Sequence, residues 1–267
     1  MIDHIRLKEL RKEHKFTQDE VAGMLGVSRV TYNLIENGKT PREPYKEQLE
    51  DIFDVSFHAL NNNKPKPKRV IDNEEEYIKI KNLIMYILDK TAQLPNVGKT
   101  VLYKILYFCE FDWFELTGKR LTGMDFVKLP RGPAPAGFDD VIKKMTAEEM
   151  VVPVNAKYMG YIQQRYLINE KVPHDLWQGR EKEVIDRVIH KLKDMNAKEI
   201  SNYSHGDLPW KATKDMELID INLAYQREYP YSARIQEAKR ARDRANFSDN
   251  PAFSFLLDEP DLYDDLI

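Results

Sequence analysis

The sequence predicts a mainly α protein in two units: an N-terminal domain of five helices, and a larger α-rich domain that carries a small antiparallel β element. Three observations lead there. Apolar residues recur at helical spacing along most of the chain, residues 151–168 alternate around a glycine instead, and a Lys/Pro run separates a short first segment from a long second one. That run, NNNKPKPKRV at 61–70, favours an extended, solvated linker. The expected boundaries are therefore 1–60, the linker 61–70, a second domain over 71–247 and a tail over 248–267, which suits a chain of 267 residues.

In the first unit, Ile5, Leu7, Leu10 and Arg11 begin a helix. Thr17 caps a second one, TQDEVAGMLG, in which Thr17 and Glu20 form a capping box and Val21, Met24 and Leu25 make the buried stripe. Gly26 supplies a sharp turn, and Ser28 caps a third helix that Asn37 and Gly38 end in a left-handed conformation.

In the second unit, Ile78, Ile80, Leu83, Ile84 and Ile87 mark one helix, and Leu102, Ile105, Leu106, Cys109 and Trp113 form the stripe of the next. MDFVKLPRGPAPAGF reads as a short strand and a turn, followed by a helix near 137–149. VVPVNAKYMGYIQQRYLI reads as a β-hairpin around Gly160. Helices are expected again from about 175 to 195, after Ala197, and between Tyr231 and Asn246.

Charge and cysteine content exclude several classes. Forty-one basic side chains against 44 acidic give a net charge of −3, so DNA contact must come from a local patch. A single cysteine rules out a disulfide framework and fits a reducing cytoplasm, and no apolar run is long enough to span a membrane. No metal site, cofactor or catalytic residue is expected. VGKT at 97–100 imitates a phosphate-binding loop, but Gln93 stands where that loop needs its first glycine. No pair of histidines four apart on a helix is available for a zinc peptidase. Cys109, between Phe108 and Phe111, reads as a small packed hydrophobe.

The segment TQDEVAGMLGVSRVTYNLIENGKTP resembles the helix-turn-helix of the lambdoid-repressor, xenobiotic-response-element type. The resemblance implies that the second helix braces the third in a DNA major groove. It places Gln18 on a phosphate, sets Ser28, Arg29, Val30, Thr31 and Asn33 toward the groove, and puts Lys39 on the backbone; Tyr32 and Ile35 belong to the core. Nine basic and eleven acidic side chains give residues 1–60 a net charge of −2, so binding to operator DNA is expected of a homodimer assisted by the Lys/Pro linker. The alternative is a helix-turn-helix that serves only as a dimerisation or partner surface.

SHGDLPW, at 204–210, gathers a hydroxyl, an imidazole, a carboxylate and an indole within seven positions. Ser204, His205 and Asp207 lie too close in sequence to assemble easily into a catalytic site. The expectation is structural: Ser204 and Asp207 hold a turn through side-chain to backbone hydrogen bonds, Pro209 opens the next segment and Trp210 anchors it.

Residues from about 75 to 230 resemble the Panacea, or SocA-like, antitoxin domain. Three blocks in order carry the likeness: LYKILYFCEFDWFELTGKRLTG with Trp113, MDFVKLPRGPAPAGFDDVIKKM with Gly132 and Pro133, and SHGDLPW with His205 and Trp210. The resemblance implies a non-enzymatic domain of a type II toxin–antitoxin pair. Such a domain neutralises a cognate toxin by protein contact, in some relatives delivers the toxin to a cellular protease, and with a DNA-binding unit represses its own operon. The runner-up is a stand-alone phage-type transcription regulator whose larger domain senses a ligand or another partner.

The tail after Phe247 carries six acids and no base, interleaved with Phe253, Phe255, Leu257 and Tyr263. Those four residues are candidate toxin contacts; docking on the chain's own domain and a free end remain equal alternatives. The basic run ARIQEAKRARDR at 233–244 reads first as a solvated helix face, with pairing to the tail as the alternative.

Overall fold

The computed structural model describes residues 4–14, 16–53, 73–169, 172–173 and 175–248. The linker at 61–70, the tail from 249 onward and the expected fifth N-terminal helix fall outside those residues. Among the described ones the architecture is mainly helical with two small antiparallel hairpins, as the sequence predicts.

The first unit holds α1 (His4–Glu13), α2 (Gln18–Leu25), α3 (Arg29–Glu36) and α4 (Glu43–Phe53). Thr17 and Glu20 form the reciprocal capping box, and Gly26, at φ 66°, donates its N–H back into α2 and turns the chain. Ser28 caps α3 through the Thr31 N–H. The end of α3 differs from expectation in one residue, because Asn37 stays at φ −102° and only Gly38 is left-handed, at φ 107°. Leu7, Leu10, Val21, Leu25, Tyr32 and Ile35 form the core with Leu49 and Phe53 of α4.

One buried carboxylate ties these helices together. Glu36 accepts from Arg11 Nε at 2.6 Å, from Gln18 Nε2 at 2.6 Å and from the Tyr32 hydroxyl at 3.5 Å, linking α1, α2 and α3. Burial opposes its ionisation, but the bonds from Arg11 and Gln18 prevail and hold the carboxyl below its ordinary range.

The second unit is built on α5 (Glu74–Lys90) and α6 (Lys99–Thr117). The sequence marks a stripe on α6, yet every residue from Val101 to Phe111 is buried, so the helix is the axis of the domain and not one wall of it. The difference arises because Tyr103, Lys104, Tyr107 and Glu110, which lie off that stripe, are covered as well. On α5, Ile78 is 42 % exposed, and Tyr77 beside it takes the buried position.

After α6 come β1 (Phe126–Leu129) and β2 (Gly132–Pro135), which pair with Val127 opposite Ala134. The sequence reads this second stretch as a turn, and two prolines in four residues do speak against a strand. Its sequence is tolerated because it is short and pairs with β1, whose other edge is bonded by residues 216–219: Lys128 N donates to Glu217 O at 3.0 Å and Ile219 N to Phe126 O at 2.8 Å. Next stand α7 (Phe138–Ala147) and the hairpin β3 (Val151–Tyr158) with β4 (Tyr161–Ile168), turning at Met159–Gly160 as expected. The chain then continues through α8 (Gly179–Leu192), α9 (Ala197–His205), α10 (Leu208–Ala212), a 3-10 helix (Ile221–Gln226) and α11 (Ala233–Ser248).

The Glu36 arrangement has a pH signature. A depressed carboxylate pKa contributes stability above its ordinary value of 4.5 and loses it as pH falls through the folded-state value. The protection of amides across α1–α3 against exchange, each rate referred to its intrinsic rate at the same pH and read by mass spectrometry, will therefore fall as the wild-type protein is acidified below about pH 4.5. Glu36→Gln will show fast exchange already at neutral pH, with a cost of roughly 2–4 kcal/mol and a flatter response to acid.

Candidate functional sites

The first candidate is a nucleic-acid face on α2 and α3. Ser28, Arg29, Val30, Asn33 and Lys39 are exposed, Val30 to 71 %, while Thr31 is half-buried with its hydroxyl 2.9 Å from that of Ser28. Tyr32 and Ile35 are buried, so α3 presents one polar face and packs the other. Three contacts escaped the sequence reading. The Gln18 amide is committed to Glu36, which leaves its helix-terminal backbone N–H as the group available to a phosphate. Arg29 lies 3.6 Å from Asp19 in an exposed pair, so a carboxylate competes with any base for this guanidinium. Asn33 and Asn37 are joined through their side-chain amides, which braces Asn33.

The second candidate is the place where the three blocks of the larger domain meet. Lys104 of α6 is 1 % exposed and donates from Nζ to Pro133 O at 3.1 Å. Gly132 sits at φ 97° against it: a Cβ there would lie 2.9 Å from Lys104 Cε and closer still to Ser204 Oγ, so only glycine fits between α6 and α9. Trp113 is half-buried against the core. His205 stacks on Trp210 with ring centroids 4.2 Å apart, and Trp210 Nε1 donates to Leu129 O at 3.4 Å. Lys128 Nζ lies 4.2 Å from the Trp210 ring. SHGDLPW, GP and the α6 block are thus one packed junction.

Asp207 corrects the expectation for this motif. Its side chain makes no cap bond to the backbone. It is fully buried, accepting from the Tyr107 hydroxyl at 2.8 Å and from Arg227 Nε at 3.0 Å. Ser204 does bond to backbone, donating to Ser201 O at 2.8 Å. The reason lies twenty residues downstream, where Arg227 is buried completely and requires carboxylates. Arg227 Nη1 reaches Asp112 at 2.8 Å and Glu115 at 3.3 Å. Glu115 in turn accepts from the Ser232 hydroxyl, from Ala233 N at 2.9 Å and from Arg234 Nε at 3.2 Å. Burial raises the carboxyl of Asp112, with Arg227 working against that shift. Lys191, beside Asp112, is pushed down to about 8, chiefly by burial.

Glu110 anchors a separate cluster. Its carboxylate accepts from Arg120 Nε at 2.7 Å and from the N–H groups of Leu121, Thr122 and Gly123 at 3.2, 2.9 and 3.3 Å, which winds the loop after α6 around one buried charge. The sequence did carry a signal for all of this. LYKILYFCEFDWFEL sets Lys104, Glu110, Asp112 and Glu115 inside an apolar run, and charges so placed must find partners.

The polar side chains of this junction hold its parts together. Ser204 gives its proton to a carbonyl, and Asp207 is spent on Arg227 and Tyr107. Burial pushes the Cys109 thiol well above its usual range, which suits a packing residue. Among the described residues no group of His, Cys, Asp and Glu side chains could hold a metal, and no helix is long and apolar enough to cross a membrane.

Replacing Arg227 tests the junction. Arg227→Met removes the cation shared by three carboxylates and should cost about 3–5 kcal/mol, a fall in Tm of roughly 10 °C. Arg227→Lys will recover little, because a point charge cannot bridge Asp207, Asp112 and Glu115 as the planar fork does. Calorimetry or urea unfolding measures both.

Comparison with known proteins follows the same division. Searches of curated proteins and of solved structures return no match. Residues 7–60 match a helix-turn-helix family model, and residues 102–211 match that of the antitoxin SocA-like Panacea domain, from within α6 to within α10. The chain therefore carries a helix-turn-helix followed by a SocA-like Panacea antitoxin domain, the combination of a DNA-binding antitoxin or regulator.

Proposed function

We propose that this protein is the antitoxin of a type II toxin–antitoxin pair: a cytoplasmic, non-catalytic protein that neutralises its cognate toxin by direct contact and represses its own operon through the helix-turn-helix. The single observation that carries the reading is the antitoxin-domain match over 102–211 on the same chain as an exposed α3 face. The commitment of Ser204 and Asp207 to internal bonds supports binding over turnover.

On this reading the N-terminal unit binds operator DNA as a homodimer, since its net charge of −2 gives one copy little phosphate affinity. Arg29 reads a guanine once Asp19 is displaced, Ser28, Val30, Thr31 and Asn33 line the groove, and Gln18 and Lys39 meet backbone. Phe253, Phe255, Leu257 and Tyr263 are assigned to the toxin, with the tail's carboxylates standing in for nucleic-acid phosphate. Delivery of the toxin to a cellular protease is a further step this architecture would allow.

The reading is tested by expressing the open reading frames beside the gene, alone and together with this protein. A neighbouring frame that arrests growth, and recovery on co-expression, is the expected result; no toxic neighbour would contradict it, and operator binding that responds instead to a small ligand would favour a stand-alone regulator. For the DNA face, Arg29→Ala should cost about 1–3 kcal/mol and relax specificity at one operator position. Lys39→Ala should weaken all sequences alike and lower the salt slope by about 1. Fluorescence anisotropy across a salt series separates the two.

A further inference from the structure

The inner face of α11 is fully engaged, which fixes what its outer face presents. Gln236 accepts from Lys191 Nζ at 3.2 Å, and Glu237 pairs with Arg180 and Arg187 of α8 at 3.2 and 3.0 Å. At 100° per residue the opposite side then carries Arg234, Ile235, Ala238, Lys239 and Arg242, all exposed. Glu237 and Asp243, the two carboxylates between 233 and 243, fall on the inner side. The outer face is therefore cationic around an aliphatic centre, with Ile235 44 % exposed.

Two tyrosines extend this face. Arg234 lies 5.8 Å from the Tyr225 ring, and Lys239 lies 5.8 Å from that of Tyr229, which is 62 % exposed. Arg234 is held in place by Glu115 at 3.2 Å and Tyr225 O at 2.7 Å. Such a surface fits a segment that is both acidic and apolar, since each kind of group alone would leave half of it unmatched.

The chain carries one such segment, and it begins where α11 ends. Residues 249–267 hold six acids, no base and the residues Phe253, Phe255, Leu257 and Tyr263. The segment opens on Asp249-Asn250-Pro251, which is turn chemistry. Its 19 residues can span about 60 Å when extended. The 16-residue helix is only about 24 Å long. Tethering raises the local concentration of the segment to the millimolar range, so modest contacts suffice.

We propose that residues 249–267 fold back along the outer face of α11 in the free protein, with the aromatic residues against Ile235 and Tyr229 and the carboxylates against Lys239 and Arg242. The acidic segment is thereby shielded until a partner with a stronger claim takes it. The basic run at 233–244 is then a docking face and not a solvated one.

Zero-length carbodiimide crosslinking of the 267-residue chain, read by mass spectrometry, tests this. The expected product is an amide between Lys239 and one of Asp258, Glu259 or Asp261 within one molecule, established with a mixture of light and isotope-labelled protein. Its yield should fall at least fivefold when salt rises from about 0.1 M to about 1 M, which shortens the screening length from about 10 Å to about 3 Å. It should fall as far in Phe253→Ala/Phe255→Ala, where the charges are intact. No such product, a product formed only between copies, or a yield indifferent to both changes would overturn the proposal. The experiment uses the chain alone, so its failure leaves the toxin reading untouched, and the absence of a toxin leaves this one intact.

Discussion

The organisation of the larger domain depends on one constraint: α6 is surrounded on all sides and still carries Lys104, Glu110, Asp112 and Glu115. A charge removed from water costs several kcal/mol unless it is paired and hydrogen-bonded, so each of these residues dictates the position of a distant segment. Lys104 draws in the Pro133 carbonyl, and Glu110 winds the loop at 120–123. Asp112 and Glu115 seize Arg227 and, through it, Asp207 of the SHGDLPW motif. Apolar packing alone would accept many arrangements of the same helices; these bonds accept one.

This explains why a motif that looks like an active site is a joint. The reactive side chains of 204–210 are polar because they sit where α9, α10 and α6 meet and need partners. His205 and Trp210 stack to close the outer edge, with Lys128 over the indole. On the proposed reading, function lies in surfaces outside this joint: the polar side of α3 in the first unit, and the cationic side of α11 in the second.

Local features were legible in the sequence wherever the physics is local. The Thr17–Glu20 box, the Gly26 turn, the Ser28 cap and the hairpin at Met159–Gly160 are each written within a few residues. What escaped was non-local. That α6 is an axis could not be read from its own stripe, since covering Tyr103, Tyr107 and Glu110 depends on elements up to a hundred residues away. β2 was missed because its prolines speak against a strand, and the permission comes from a short pairing with β1. Asp207 was assigned to its own turn because its partner, Arg227, lies outside every motif.

As the proposed antitoxin, this molecule acts by holding its partners, without making or breaking covalent bonds. The most direct measurement is to titrate purified toxin with this protein while following toxin activity, and then to unfold the complex and weigh the toxin. A binding antitoxin gives inhibition that stops at a fixed molar ratio, with the released toxin of unchanged mass and active after refolding. Inhibition by a small fraction of an equivalent, together with a toxin of altered mass, would contradict it.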